Sequence, residues 1–115
     1  MLVEDSEDLV DIWERLFRAS GYQITGCYDC KSALALLRAG ERYDIVLSDY
    51  YLPDFNGLVL FDHLRDLSPE TPFLLVTGTR EAFIAEHIER GGFASLVGKP
   101  VQFKSLLSKI NEYCA

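Results

Sequence analysis

The sequence predicts an α/β fold in which a doubly wound, five-stranded parallel sheet carries a helix after each strand. Short apolar runs alternate five times with amphipathic segments along the chain, the order typical of strands joined by right-handed helical crossovers. The central runs are apolar at successive positions, as in strands that helices cover on both faces. The length of 115 residues fits one domain, which we assign to residues 1–115.

The predicted strands are short, and most of them end in polar residues. The run Ile45-Val46-Leu47 is apolar at every position, which indicates a strand at the centre of the sheet. Residues 23–28 instead mix polar and apolar side chains, as expected of a strand near a sheet edge. The five predicted strands are residues 1–3, 23–28, 44–49, 73–76 and 96–97.

Apolar side chains at helical spacing predict the five helices. Glycines at positions 21 and 40 end the first two of them, as C-terminal glycines commonly do. The predicted helices are residues 6–19, 31–39, the segment between Gly57 and Ser68, 80–90 and 102–113. We expect the first helix to bury one apolar face, made of Leu9, Ile12, Trp13, Leu16 and Phe17.

The acidic charge balance limits the classes of partner. Eleven basic and 18 acidic side chains give a net charge of −7, and such a surface repels nucleic acid and anionic lipid. We therefore expect no direct nucleic-acid contact. No apolar stretch reaches the roughly 20 residues that span a bilayer, and the N-terminus lacks the pattern of a signal peptide. These features favour a cytoplasmic protein without membrane contact.

The three cysteines do not predict a disulfide framework. Their number is odd, and the Cys27-x-x-Cys30 motif has no second pair or histidine at ligand spacing. Ordinary buried thiols are therefore favoured over a redox or zinc site.

Polar side chains follow four of the predicted strands where each strand ends. They are Glu4-Asp5, Asp49, Thr77 and Lys99-Pro100. The carboxyl ends of parallel strands meet at one edge of the sheet, which is where ligands bind in such folds. The sequence therefore predicts a site that contains three carboxylates, a hydroxyl and an ammonium group.

The electrostatics of this set favour a bound cation. Two carboxylates about 5 Å apart repel by about 3 kcal/mol at an effective dielectric constant near 20. Oxygen ligands in small number suit Mg²⁺, and a lysine beside such a cation suits a phosphoryl group. Simpler explanations exist for single residues, because acids such as Glu4 and Asp5 favour helix starts and Asp49 could cap the loop after its strand.

Two other classes of function are weighed against this one. A phosphohydrolase with an aspartyl nucleophile would generally need a second acid two residues further on, and that position is Tyr51. The motifs of serine hydrolases and nucleotide-binding proteins are absent from the sequence. The second alternative is an interaction module of the same fold that does not use phosphate.

Taken together, these residues resemble the receiver domain of response regulators in two-component phosphorelay signalling, and the likeness extends over the whole chain. An acidic pair follows the first strand, and the acceptor Asp49 is followed by Pro53 and Gly57 at the spacing D-x-x-x-P-x-x-x-G. The Lys99-Pro100 dipeptide is the other distinctive motif. The resemblance implies a flavodoxin-like (βα)5 fold with strand order 2-1-3-4-5.

The resemblance also implies a role for each residue of the predicted site. Asp49 would be the nucleophile that accepts a phosphoryl group, and Thr77 and Lys99 would bind the phosphoryl oxygens. Mg²⁺, or Mn²⁺ in its place, would be held by Asp5, Asp49 and the backbone carbonyl of Tyr51, with Glu4 acting through a water molecule. The domain would not be an enzyme beyond catalysing its own phosphorylation and slow dephosphorylation.

The implied partners are a histidine kinase or a histidine phosphotransfer protein. A homodimer or an output domain would use the face of the fourth helix, fifth strand and fifth helix, which Thr77 and an aromatic residue reshape in the family. Here that aromatic position, three residues before Lys99, is Leu96. A second departure is Tyr51, whose bulk we expect to hinder the water that hydrolyses the phosphorylated state.

Overall fold

The computed structural model describes residues 1–79 and 81–114 and contains one five-stranded parallel sheet with the order β2-β1-β3-β4-β5. The predicted fold class and strand order are confirmed. The strands are β1 (Leu2–Val3), β2 (Gly26–Cys27), β3 (Val46–Asp49), β4 (Phe73–Thr77) and β5 (Ala94–Gly98). The helices are α1 (Glu7–Ala19), α2 (Cys30–Arg38), α3 (Gly57–Leu67), α4 (Ala82–Gly91) and α5 (Phe103–Cys114).

Polar side chains just before the first three helices set where these helices begin. Ser6, Asp29 and Asn56 occupy the N-cap positions of α1, α2 and α3, and each accepts a hydrogen bond from a backbone N–H of the first turn. Such caps satisfy donors that have no partner within the helix. The helices α1, α2 and α3 therefore begin within a few residues of the ends of β1, β2 and β3, with seven residues or fewer between each strand and its helix.

The helices cover the two faces of the sheet unequally. Helices α2, α3 and α4 pack on one face, where Phe61 and Phe73 lie in contact with ring centroids 5.1 Å apart. Helices α1 and α5 pack on the other face around Phe17 and Leu106. Because both faces are covered, β3 and β4 are buried along their whole length, as the apolar runs within them predict.

The predicted buried face of α1 is partly wrong. Phe17 is buried and Trp13 is half-buried, but Leu9, Ile12 and Leu16 are 39% to 52% exposed. The residue on the sheet side is Val10, which the prediction did not include. The helix carries two adjacent apolar stripes, one residue apart in the sequence, and only the stripe of Val10, Trp13 and Phe17 meets the sheet.

Several element boundaries also differ from the predicted ones. The second strand is confined to Gly26–Cys27, because only this pair forms the ladder with Leu2 and Val3. β4 continues one residue further than predicted, to Thr77, and β5 is a full partner of β4 from Ala94 to Gly98. The predicted start of the fourth helix, residue 80, lies outside the described residues. Among those described, no helix has the length and apolar composition needed to cross a membrane.

Candidate phosphoryl-acceptor site

The strand order brings three carboxylates together at the carboxyl edge of the sheet. β1 and β3 are neighbours, with Val3 paired to Ser48, so the residues that follow Val3 lie beside Asp49. Each of Glu4, Asp5 and Asp49 offers a carboxylate oxygen, and these three atoms lie within 4.8 Å of one another. Glu4 and Asp49 are buried, whereas Asp5 is exposed. Hard oxygen ligands in this arrangement fit a small divalent cation such as Mg²⁺.

Lys99 faces the same carboxylates from the opposite side. Its Nζ atom lies 2.9 Å from Oδ1 of Asp49, although β4 separates the two strands that carry these residues. The backbone N–H of Lys99 donates to the carbonyl of Thr77 at 3.0 Å, and the Lys99–Pro100 peptide bond is cis. Asp49 is 8% exposed and the Lys99 side chain 47%, so the ammonium group is accessible to an incoming anion.

Thr77 ends β4 between these two side chains. Asp49 is paired with Val76 and Gly98 with Thr77, so Thr77 lies one residue further towards the site than the partner of Asp49. Its side chain is buried, and its Oγ1 atom accepts a hydrogen bond from the N–H of Thr79 at 3.0 Å. The hydroxyl hydrogen remains available as a donor.

Glu4 is held in a setting that disfavours its charged form. Burial, a hydrogen bond with Asp49 and the charge of Asp49 together raise the pKa of Glu4 from 4.5 to about 8. The N–H of Ser6, which donates to Oε1 of Glu4 at 3.2 Å, acts in the opposite direction and is outweighed. At neutral pH Glu4 therefore keeps its proton unless a cation takes its place.

Gly57 lets the loop after β3 return close to Asp49. A Cβ atom at this position would lie 2.6 Å from the carbonyl oxygen of Asp49 and 2.5 Å from Cδ1 of Leu75. The N–H of Gly57 donates to the carbonyl of Tyr50 at 2.7 Å, and Tyr51 forms a bridge with Asn56. The glycine in the D-x-x-x-P-x-x-x-G spacing is thus required by close backbone approach.

A comparison with models of protein families assigns the chain to one family. The family model "Response regulator receiver domain" matches residues 1–111. The chain belongs to the response regulator receiver domain family. Its acidic edge is consistent with phosphoryl acceptance, the property through which receiver domains act in two-component systems.

Curated relatives of this receiver domain are response regulators. The two-component response regulator ARR2 of Arabidopsis thaliana is 30% identical over 108 residues, which cover 92% of the chain and 16% of ARR2. The response regulator SaeR of Staphylococcus epidermidis is 27% identical over 115 residues, all of the chain and 49% of SaeR. The chain thus spans half or less of the length of these relatives.

Solved structures agree with the assignment. A CheY-like response regulator receiver domain protein from Methanospirillum hungatei JF-1 is 26% identical with a TM-score of 0.90, and the match covers 98% of this chain and 90% of that one. The receiver domain of the hybrid histidine kinase CckA, at 22% identity and a TM-score of 0.82 over 99% of this chain and 96% of that one, shows the same fold.

The structure brings five of the predicted site residues to one edge of the sheet, while Tyr51 follows in the loop after β3. Glu4, Asp5, Asp49 and Lys99 are joined by the distances above, and Thr77 ends the intervening strand. Leu96 lies deeper in the sheet, paired with Leu75 and half-buried against the core on the α3 and α4 side. The chemical roles assigned to all these residues remain predictions.

Sequence reasoning missed two features of the receiver domain. One is a cavity of about 280 Å³ between α1 and α5, which Leu9 and Trp13 line together with Lys99 and Val101. The other is Asp54, which lies between Pro53 and Gly57 and to which the sequence analysis assigns no role. Its carboxylate binds the start of α2, a contact that no local pattern reveals.

The raised pKa of Glu4 predicts how the stability of the metal-free domain depends on pH. Below about pH 4.5 Glu4 is protonated in both the folded and the unfolded chain; between about pH 4.5 and 8 only the folded chain keeps the proton. Stability should therefore fall as pH rises through this range and level off above it. Urea unfolding with EDTA at a series of pH values measures this.

The variant Glu4→Gln should remove that fall and gain stability over the parent as pH rises. Glu7→Gln is the matched control, since Glu7 is an exposed acid in the first turn of α1. If the stability of Glu4→Gln falls with pH in parallel with that of the parent, Glu4 is not the group that causes the fall.

Proposed function

We propose that Asp49 of this receiver domain accepts a phosphoryl group from a phosphohistidine on a histidine kinase or a histidine phosphotransfer protein. The observation that carries the proposal is the 2.9 Å contact between Lys99 and Asp49 beside the three-carboxylate cluster. The cluster suits a divalent cation, and the lysine is placed to bind the anion that such a cation accompanies.

Mg²⁺ is the proposed cofactor, with Mn²⁺ as a substitute. Asp5, Asp49 and the backbone carbonyl of Tyr51 would hold the ion, and Glu4 would act through a water molecule. Three protein oxygens that leave room for waters fit the preference of Mg²⁺ for partial hydration. When bound, the ion supplies positive charge that neutralises phosphoryl oxygens.

Side chains of the domain carry out the transfer of the phosphoryl group. A carboxylate oxygen of Asp49 attacks phosphorus, the bond from phosphorus to the donor imidazole nitrogen breaks, and the electron pair returns to the imidazole. Lys99 exchanges its contact with Asp49 for one with a phosphoryl oxygen. The hydroxyl of Thr77 donates to another phosphoryl oxygen, since its hydrogen is not used in the contact with the N–H of Thr79.

The domain acts as a regulator in the cytoplasm, and its chemistry is confined to its own phosphorylation and slow dephosphorylation. The net charge of −7 opposes direct nucleic-acid binding. Residues 1–115 form the one phosphoacceptor domain of this scheme. The partners of the resulting signal would be a second copy or an output domain at the face of α4, β5 and α5.

The effect of phosphorylation would reach the face of α4, β5 and α5 through Thr77 and then Leu96. Thr77 moves towards the phosphoryl group, and Leu96 lies on the neighbouring strand opposite Leu75, two residues before the partner of Thr77. Because Leu96 has no ring to rotate, the response would be a shift in packing against α4. This mode differs from the aromatic movement expected in the family.

Phosphorylation of Asp49 is tested by incubation with acetyl phosphate and Mg²⁺ followed by intact mass measurement. We expect the parent to gain the mass of one phosphoryl group and Asp49→Asn to gain none. Asp44→Asn, which changes an exposed acid just before β3, should behave as the parent.

Two outcomes of this experiment would contradict the proposal. Absence of an adduct under all conditions would favour an interaction module that does not use phosphate. Continuous hydrolysis of a phosphate monoester would favour a phosphohydrolase.

Binding of Mg²⁺ should stabilise the fold because it replaces repulsion among the carboxylates. A free concentration ten times the dissociation constant adds about 1.4 kcal/mol to the free energy of unfolding. A titration of melting temperature against Mg²⁺ measures this effect. It should weaken in Asp5→Asn but persist in Asp8→Asn, an exposed acid in the first turn of α1. A flat titration of the parent would show that the metal site is wrong.

Tyr51 should lengthen the life of the phosphorylated state. Its side chain is 69% exposed, and its ring packs edge-on against Tyr50 with centroids 4.8 Å apart, two residues beyond the acceptor. We expect Tyr51→Asn to shorten the acyl-phosphate half-life, because a small polar group admits the hydrolytic water. Phe55→Asn removes an exposed aromatic from the same loop and serves as the control. An unchanged or longer half-life in Tyr51→Asn would refute the hypothesis.

A further inference from the structure

Asp54 connects the loop that follows the acceptor strand to the start of another helix. Its Oδ1 atom accepts hydrogen bonds from the backbone N–H groups of Cys30 and Phe55, and its Oδ2 atom accepts one from that of Lys31, each at 2.9 Å. Cys30 and Lys31 are the first two residues of α2. One half-buried carboxylate thus satisfies donors on two elements that lie more than 20 residues apart in the chain.

The contact is separate from the local cap of α2. Asp29 already occupies the N-cap position and accepts from the N–H of Ser32 at 2.7 Å. A helix start leaves four N–H groups without partners inside the helix, and Asp54 takes two that Asp29 does not bind. Helix α2 therefore has one carboxylate from its own sequence and a second from the loop.

The charge of Asp54 suits this position. Burial works against ionisation, but the backbone N–H groups of Cys30, Lys31 and Phe55 outweigh it and lower the pKa of Asp54. The partial positive charge of a helix N-terminus favours an anion in the same way. The contact is thus charge-assisted, which makes it stronger than one between neutral groups.

The loop that Asp54 anchors carries part of the proposed metal site. Local contacts hold the ends of this loop. The N–H of Gly57 donates to the carbonyl of Tyr50 at 2.7 Å and joins the two ends. At the second end, the N–H of Leu58 donates to Oδ1 of Asn56 at 2.9 Å. Asp54 ties the middle of the loop to a different element. Tyr51, whose carbonyl is the proposed ligand of Mg²⁺, lies three residues before it.

We propose that Asp54 is a positioning residue for phosphoryl transfer, which holds the Tyr51 carbonyl in place for Mg²⁺ by tethering the loop to the N-terminus of α2. The inference rests on the proposed function of the Asp49 site. Groups that orient metal ligands from outside the coordination sphere commonly change metal affinity at least tenfold when they are removed.

The test compares Asp54→Ala with Asp29→Ala. Each variant removes one carboxylate from the same helix terminus, but only Asp54 is attached to the loop after β3. Mg²⁺ affinity is measured by isothermal titration calorimetry, and the rate of phosphorylation by acetyl phosphate is followed by intact mass. Thermal unfolding defines a temperature at which both variants are fully folded, and all measurements are made there.

We expect Asp54→Ala to weaken Mg²⁺ binding about tenfold and to slow phosphorylation at subsaturating Mg²⁺, with partial recovery of the rate when Mg²⁺ is raised. Asp29→Ala should bind Mg²⁺ as the parent does. Asp54→Asn keeps an oxygen acceptor and should lie between Asp54→Ala and the parent, and it carries the test if Asp54→Ala does not fold.

Two results would overturn the positioning role while leaving the proposed function intact. One is unchanged Mg²⁺ affinity in both Asp54 variants beside a parent that is phosphorylated normally. The other is an equal loss in Asp29→Ala, which would show that any weakening of α2 has the same effect. A parent that neither binds Mg²⁺ nor takes up a phosphoryl group would overturn the proposed function as well.

Discussion

The Asp49 carboxylate is held between the buried Glu4 and the exposed Lys99, two groups of opposite effect, and the rest of the site depends on this balance. Glu4 follows β1 beside it, and burial together with the charge of Asp49 raises the pKa of Glu4 to about 8. Lys99 reaches it from the far side of β4 and offsets part of the repulsion. The site therefore has more negative than positive groups. A divalent cation can supply the missing positive charge, and its charge then attracts a phosphoryl group.

The sheet order is what makes this balance possible. β1 and β3 must be neighbours for two acids after one strand to meet the aspartate that ends the other, and the order β2-β1-β3-β4-β5 provides this. Helices on both faces bury the strands, so charged groups emerge where the strands end, and those of the site lie at the carboxyl edge. The close return of the backbone at Gly57 then keeps the following loop against the end of β3.

The errors in the sequence predictions have a common physical origin. In α1 the stripe of Leu9, Ile12 and Leu16 is as apolar as the stripe beside it, so helical periodicity alone could not decide which one meets the sheet. Asp54 was missed for a similar reason, because its partners at the start of α2 are brought to it by the packing of two loops. In both cases the deciding contact joins residues that are distant in the chain.

By itself the sequence determined the α/β class, the five alternations, the family and the residues at the strand ends. These follow from local patterns, since apolar runs, glycine stops and a polar residue after a strand are all readable along the chain. Only the tertiary structure decided the 2.9 Å contact of Lys99 with Asp49, the buried face of α1 and the tether from Asp54 to α2. Each of these depends on how separate elements pack, because hydrogen bonds and charge interactions act over a few ångströms of space regardless of separation in sequence.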